Sequence, residues 1–313
     1  MITNFIVEKI ISKLIVFLVI TLMAFILMNV SRIDPAESYV RRHATIPDQK
    51  VINELREEMG LNKPIMLQYI NWLRDVSKLD FGMSLVTGNK VEDDIALHIK
   101  PTLFLVLVSL IIITVVATAF GVISAVYENT IIDRIIKTIS LMGVSIPNFW
   151  AGFLLLYIFS LKLRLMPSIS EVNLKGVLLP AITMALVPVS HYSRFLRANM
   201  LEELNSDYIL NCYAKGLRRN KIIFIHALKN AVQPMIPLFF QNIGYLITGS
   251  AIIEAVFSWP GLGMYTLHAI IDRDFPVVVA YILLSAVIFS ICSIAAEIVG
   301  VRINKRLMES RTL

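Results

Sequence analysis

The chain has 313 residues, of which 57% are hydrophobic, and its mean hydropathy is +0.72. A soluble domain of this length cannot bury so much apolar surface, and several uninterrupted apolar runs of membrane-spanning length predict an all-α polytopic membrane protein. The net charge of +6 would suggest a nucleic-acid partner for a soluble protein. Here the positive charge of cytoplasmic loops explains it, and no aromatic and basic platform for bases is present, so no nucleic-acid partner is expected.

A first transmembrane helix is predicted within residues 1–31. Lys9 and Lys13 precede an apolar run at residues 14–30, and cationic residues of this kind mark the cytoplasmic end of a span. A signal peptide also has a charged start and an apolar run, but this run is long and no A-x-A cleavage site follows it. An uncleaved span with its N-terminus in the cytoplasm is therefore the preferred interpretation.

Residues 32–100 carry mixed charge and predict an external helical subdomain that lies on the membrane surface. Asp48 is placed to cap an amphipathic helix that Gly60 ends, and a second amphipathic helix begins near Pro64. A third helix, at residues 91–99, leads into the second span.

Residues 101–313 form the predicted core transmembrane domain, which brings the total to about six spans. The later spans are placed at about residues 102–127, 139–161, from 178 onward, 231–256 and 277–301. Pro147 breaks the third span, and Pro180 and Pro188 are expected to bend the fourth, because proline removes a helical hydrogen bond. A bend at Pro147 suits a position beside a pathway, and a packing kink explains it equally well.

The charged residues of the short loops set the predicted orientation. Four of them are assigned to a cytoplasmic turn between spans two and three: Glu128, Asp133, Arg134 and Lys137. The C-terminal tail is basic, with Lys305, Arg306 and Arg311. Both termini are therefore predicted to be cytoplasmic.

Residues 205–229 are the most informative polar stretch, because long apolar segments flank them. Five basic residues place the stretch in the cytoplasm: Lys215, Arg218, Arg219, Lys221 and Lys229. Ser206 and Asp207 can cap a helix at residues 208–214, and Gly216 stands where a helix ends in a left-handed residue. A second amphipathic helix follows. Two helices joined at a glycine corner make a compact surface for docking a partner.

The run DYILNCYAKGLRRNKIIFIHALKNAVQP resembles the cytoplasmic coupling loop of bacterial ABC importer permeases, and most closely that of the dipeptide, oligopeptide and nickel group. The alanine and glycine of that loop fall on Ala214 and Gly216. The glutamate that names the general motif is absent, and Asn211 and Cys212 stand near its expected place. Permeases of the dipeptide, oligopeptide and nickel group commonly lack the general motif there too. The strings ELREEMGLNKPIMLQYINWLRD, SIPNFWAGFLL and GSAIIEAVFSWPGLGMYTLHAIIDRDFPVVVAY resemble the same group, so the resemblance covers nearly the whole chain.

The resemblance implies a type I ABC importer permease in the bacterial cytoplasmic membrane. Its expected partners are a second homologous permease, two ATPase subunits, an external substrate-binding protein and membrane lipid. The substrates implied are dipeptides, oligopeptides, or nickel and other metal chelates. The resemblance assigns coupling to the ATPase to seven residues: Asp207, Tyr208, Ala214, Lys215, Gly216, Leu217 and His226.

Five polar residues punctuate the apolar background of span five: Gln241, Asn242, Thr248, Ser250 and Glu254. A carboxylate at membrane depth is costly, so Glu254 either faces an external gate or is paired structurally. Gln241 and Asn242 either line a polar path or hydrogen-bond to neighbouring helices. Trp259, in the turn after the span, is expected to be an anchor at the membrane interface.

Nothing in the sequence supports an active site. The chain has no G-x-x-x-x-G-K-[ST] phosphate loop, no H-E-x-x-H and no G-x-S-x-G, so ATP and Mg²⁺ are expected on partner chains and no cofactor on this one. His191, His226 and His268 are too far apart in the topology for a shared metal site. Two alternatives to an ABC permease are a secondary carrier, which needs more intramembrane ionisable groups, and a membrane scaffold.

Overall fold

The computed structural model describes residues 2–30, 34–43 and 48–303. Their regular structure is helical, apart from one isolated antiparallel bridge between Met83 and Lys90. In chain order the helices are α1 (Ile2–Val30), α2 (Pro35–His43), α3 (Gln49–Glu58), α4 (Ile65–Ser77), α5 (Val91–Val126), α6 (Ile131–Ser145), α7 (Asn148–Leu155), α8 (Leu178–Leu204), α9 (Asp207–Ala214), α10 (Arg219–Lys221), α11 (Leu228–Ala231), α12 (Met235–Thr248), α13 (Ala251–Val256), α14 (Leu262–Ile271) and α15 (Phe275–Ile303). Two π-helical segments, Leu156–Lys162 and Ile222–Ala227, continue α7 and α10. The all-α fold class predicted from the sequence is confirmed.

Among the described helices, α5 and α15 are long and apolar enough to cross a membrane. Two bent pairs also qualify when each is taken as one span: α6 with residues 148–162, bent by 107°, and residues 219–231 with α12, bent by 60°. The described helices therefore supply two to four spans by length and composition. The count of about six stays a prediction, and the basic tail at residues 304–313 lies outside the described residues.

The chain forms two compact units, each assembled from separate parts of the sequence. The described residues within 2–100 and 261–290 make up the first, and those within 101–260 and 291–303 make up the second. No local pattern predicts that residues 261–290 belong with the first hundred residues. The predicted division into residues 1–31, 32–100 and 101–313 stays a prediction.

In the first unit the predicted helix signals of residues 48–64 are confirmed. The Asp48 carboxylate accepts a hydrogen bond from the Lys50 amide, Gly60 has a φ of +68°, and Pro64 caps α4. These features are predictable from the sequence because an N-cap and a helix end at a left-handed glycine each depend on residues only a few positions apart.

Asp274, which precedes α15, organises the loop at residues 84–86 of the same unit. Its buried carboxylate accepts hydrogen bonds from the Ser84 hydroxyl at 2.5 Å and from the Leu85 and Val86 amides at 3.1 and 3.2 Å. One carboxylate therefore holds three consecutive loop residues. This contact spans about 190 positions of sequence, and no local pattern predicts it.

Several boundaries predicted between residues 91 and 180 are wrong. Residues 91–99 and span two form the single helix α5, which continues through Pro101. Of the four residues assigned to the turn between spans two and three, Asp133, Arg134 and Lys137 lie in α6, which begins at Ile131. Pro180 lies in the first turn of α8, where a proline breaks no helical hydrogen bond. The predicted break at Pro147 is confirmed, since α6 ends at Ser145 and α7 begins after the proline.

Span five is not one helix, because α12 ends at Thr248 and α13 begins at Ala251. The predicted interfacial role of Trp259 is also wrong. Its side chain is fully buried, and its indole N–H donates to the Pro101 carbonyl at 3.1 Å. A buried indole needs a partner for its single donor, and Pro101 O supplies it.

Candidate functional site

The 205–229 segment of the second unit folds as two helices joined at Gly216. The Gly216 amide donates to the Tyr213 carbonyl and the Leu217 amide donates to the Cys212 carbonyl, at 2.9 and 3.2 Å. With a φ of +73° at Gly216, this pair of bonds is a Schellman motif, which ends α9 and satisfies its last carbonyls. The left-handed glycine predicted from the sequence is confirmed.

The start of α9 differs from the prediction in one respect. Ser206 is the capping residue by position, but its hydroxyl donates to the Glu203 carbonyl of the preceding helix. Asp207 is the first residue of α9 and is exposed. A carboxylate there still favours the helix, because it lies beside the positive end of the helix dipole.

One face of the segment is anchored in a hydrophobic core. Ile209 of α9 and Ile222 and Ala227 of the π-helical segment are fully buried, and they pack with Leu196 and Met200 of α8. Burying a side chain such as isoleucine contributes about 1.5–3 kcal/mol. The segment is therefore held firmly on α8 and on the end of α5.

A polar cluster ties α9 to α8 and α11. The Tyr208 hydroxyl donates to the Glu203 carboxylate, and the Asn230 amide donates to the Tyr208 oxygen at 3.1 Å. Burial, together with the bond to Glu203, raises the pKa of Tyr208 above its ordinary value. The phenol thus remains a protonated donor at neutral pH.

The opposite face of α9 is exposed and partly apolar. Leu210 is 62% exposed and Tyr213 is 48% exposed, and Ala214 is exposed beside them. Their spacing of three and four positions puts them on one side of the helix. We call these three residues the apolar stripe of α9. Lys215 and Gly216 extend the exposed surface, Leu217 is half-buried, and His226 is half-buried in the π-helical segment.

The second unit also contains a buried ion network that was not predicted from the sequence. The Asp133 carboxylate is fully buried and is held by Arg197 through two bonds, Nε to Oδ1 at 2.8 Å and Nη2 to Oδ2 at 2.9 Å. Lys137 Nζ lies 3.0 Å from Oδ2, and the Ser124 hydroxyl donates to Oδ1. The network joins α5, α6 and α8. The i, i+4 spacing of Asp133 and Lys137 was the one signal of it in the sequence.

Glu254, a candidate gate, is fully buried in α13. The Thr102 hydroxyl of α5, also fully buried, donates to Glu254 Oε1 at 2.7 Å. This contact favours the structural interpretation of Glu254, and its role as a gate stays a prediction. Thr248 and Ser250 donate to the carbonyls of Gly244 and Ile247 in their own helical region.

Thr102→Val is expected to destabilise the protein by about 1–3 kcal/mol, because it deprives a buried carboxylate of one hydrogen-bond donor. The matched control is Thr114→Val on the same helix, where the threonine is exposed and bonds to the Leu110 carbonyl of its own helix. Thermal denaturation of the detergent-solubilised protein compares the two. Equal midpoints for both variants would show that the Thr102 bond contributes nothing.

Gln241 and Asn242 are half-buried in α12. The Asn242 Nδ2 atom is buried and has no hydrogen-bond partner among the described residues. An unsatisfied buried amide is unusual and calls for water, a ligand or another chain. Within the described part of the chain, no cluster of three His, Cys, Asp or Glu side chains has the spacing of a metal site.

The long apolar helices and the two sharply bent helix pairs define the class as a polytopic membrane protein. Residues 117–309 match the family described as binding-protein-dependent transport system inner membrane component, and residues 1–105 match the N-terminal family of such membrane components. The chain therefore belongs to the inner-membrane permeases of binding-protein-dependent transport systems.

Curated permeases are similar to the chain over nearly its whole length. It is 32% identical over 308 residues to the metal-staphylopine import system permease protein CntB of Staphylococcus aureus, and the aligned region covers 98% of each protein. It is 30% identical over 301 residues to the glutathione transport system permease protein GsiC of Escherichia coli, covering 96% of this chain and 97% of that protein. The predicted kinship with ABC importer permeases is confirmed, and the chain is a transport permease subunit rather than a carrier or scaffold.

Proposed function

We propose that this permease pairs with a second homologous permease and receives substrate from an external binding protein. Two ATPase subunits bind on the cytoplasmic side, where the 205–229 segment docks into a groove of one of them. ATP binding and hydrolysis on those partners move the segment, and α8 and α12 move with it. Both termini lie in the cytoplasm in this arrangement.

The apolar stripe of α9 is the observation that supports docking. Leu210 and Tyr213 are exposed although the other face of the same helix, at Ile209, is fully buried. A short helix with two apolar faces has one face left for a partner, and a groove that takes residues at positions i, i+3 and i+4 is a common mode of recognition. Lys215 and Gly216 border the stripe at its C-terminal end.

Leu210→Asp is expected to lower the amount of ATPase that co-purifies with the permease by about tenfold or more, because a carboxylate would be buried in an apolar groove. Asn211→Asp is the matched control, since Asn211 is exposed on the same helix and the change adds the same charge. Both variants are purified from membranes through a tag on the permease, and the ATPase is quantified. If Leu210→Asp retains as much ATPase as Asn211→Asp does, the docking face is elsewhere.

We further propose that the substrate is a peptide-like molecule or a metal chelate. The named cargoes of CntB and GsiC, metal-staphylopine and glutathione, support this class. Span-five residues Gln241 and Asn242 are the proposed contributors to the pathway, because Asn242 carries an unsatisfied buried donor. Uptake of labelled glutathione and of chelated nickel by cells that express the complete complex tests the class, and uptake of neither would contradict it.

A further inference from the structure

A cleft of about 380 Å³ lies within the second unit, where two spans lose their helical geometry. Its walls include the break between α6 and α7 and the break between α12 and α13. Its lining residues include Ser145, Pro147, Asn148, Val187, Gly249 and Ile252. Two interrupted helices therefore face the same space.

Both breaks are built into the local geometry. At Pro147 the chain turns by 107° between α6 and the helix that follows. At Gly249, an added Cβ would lie 2.8 Å from the Tyr245 carbonyl oxygen, so no larger residue fits without moving the backbone. Non-helical backbone at membrane depth is tolerated where it lines a water-filled cavity or is covered by protein.

Close packing keeps the two breaks together. A Cβ on Gly152 of α7 would come within 3.2–3.3 Å of Val256, Phe257 and Thr183. The glycine lets α7 approach α13 and α8 closely. The cleft is thus a consequence of the packing of three helices.

Asn148 supplies the polar group of the cleft. Its Oδ1 atom is buried and accepts no hydrogen bond from any described residue. The Ser145 hydroxyl, by contrast, is satisfied by the Leu141 carbonyl of its own helix. An amide oxygen that is buried and unsatisfied is matched by a ligand or water that donates an N–H or O–H.

We propose that this cleft is a water-filled station on the substrate's route, where Asn148 accepts a hydrogen bond from an amide or ammonium N–H of a peptide-like substrate. This inference rests on the proposed function, since it needs a substrate that crosses the complex. The apolar walls at Val187 and Ile252 accommodate the substrate's side chains, and the break at Gly249 lets the wall move between transport states.

Access of water is tested by thiol labelling of the complete complex in proteoliposomes, with Cys212 and Cys292 replaced by serine. The test variant is Ser145→Cys, and the control is Phe153→Cys, because Phe153 lies on α7 outside the cleft and is 55% exposed. The reagent is 2-sulfonatoethyl methanethiosulfonate, a charged compound that reacts with the thiolate. We expect Ser145→Cys to react about tenfold faster than Phe153→Cys, because thiolates form in water and not in lipid. Equal rates would overturn the proposal.

The ligand class is tested in the same labelling assay with trialanine and S-methylglutathione at millimolar concentration. Either peptide should slow the labelling of Ser145→Cys. This protection should persist with Asn148→Asp, which keeps an acceptor, and be lost with Asn148→Leu, which has similar size and no acceptor. Failure of both peptides to protect, or equal protection in both variants, would overturn the ligand assignment.

The outcomes separate this inference from the proposed function. If the wild-type complex contains no ATPase, or if Leu210→Asp has no effect, the docking model fails whatever the labelling shows. If the complex hydrolyses ATP and responds to Leu210→Asp, but Ser145→Cys is labelled no faster than Phe153→Cys, the cleft inference alone fails.

Discussion

Gly216→Pro is expected to uncouple ATP hydrolysis from uptake while the permease remains in the membrane. Proline requires a φ near −65°, whereas Gly216 has a φ of +73° and its amide donates to the Tyr213 carbonyl. The strain of about 1–3 kcal/mol corresponds to a loss of the docking conformation of the 205–229 segment by a factor of about 5 to 150. Uptake and ATP hydrolysis, measured on the same proteoliposomes, give the coupling ratio.

Gly216→Asn is the matched control for this variant. A Cβ at position 216 meets no described atom within 4 Å, so side-chain bulk is tolerated there. Asparagine adopts positive φ more readily than other residues with a Cβ, and it keeps the amide N–H. We therefore expect near-normal coupling from Gly216→Asn. Normal coupling in Gly216→Pro as well would show that the corner geometry plays no part in transport.

Arg197→Ala is expected to destabilise the permease by about 3–5 kcal/mol, because it strips a fully buried carboxylate of its bidentate partner. In this variant Lys137 is the remaining cation beside the Asp133 carboxylate. The Lys137 side chain is 43% exposed, so it compensates the buried charge less well than Arg197 does. The loss should appear as a lower midpoint of thermal denaturation in detergent. The double variant Asp133→Leu with Arg197→Met should recover much of it, since neither buried charge then remains.

Arg194→Ala serves as the control for Arg197→Ala. Arg194 lies one turn earlier on α8, is exposed, and bonds to the Ser190 carbonyl of its own helix at 3.3 Å. The substitution Arg194→Ala should therefore change the midpoint of thermal denaturation little. A midpoint for Arg197→Ala no lower than that of Arg194→Ala would mean that the network does not hold α5, α6 and α8 together.

The sequence alone determined the features that depend on neighbouring residues. Gly216 ends a helix and Pro147 breaks one because the backbone preferences of glycine and proline act over one turn. The Asp48 cap likewise follows from a side chain and an amide two positions away. Long apolar runs identified the membrane class, and whole motifs identified the permease family.

Only the tertiary structure decided which buried polar groups meet. Asp133 and Arg197 are 64 positions apart, and Thr102 and Glu254 are 152 positions apart. Such pairs form because a buried charge or hydroxyl must find a partner, and the packing of the helices selects it. Trp259 is a core residue because the packing of the helices brings a partner to its indole N–H. Its surroundings were set by the approach of Pro101 and Phe104 from distant α5, which no local pattern around the tryptophan encodes.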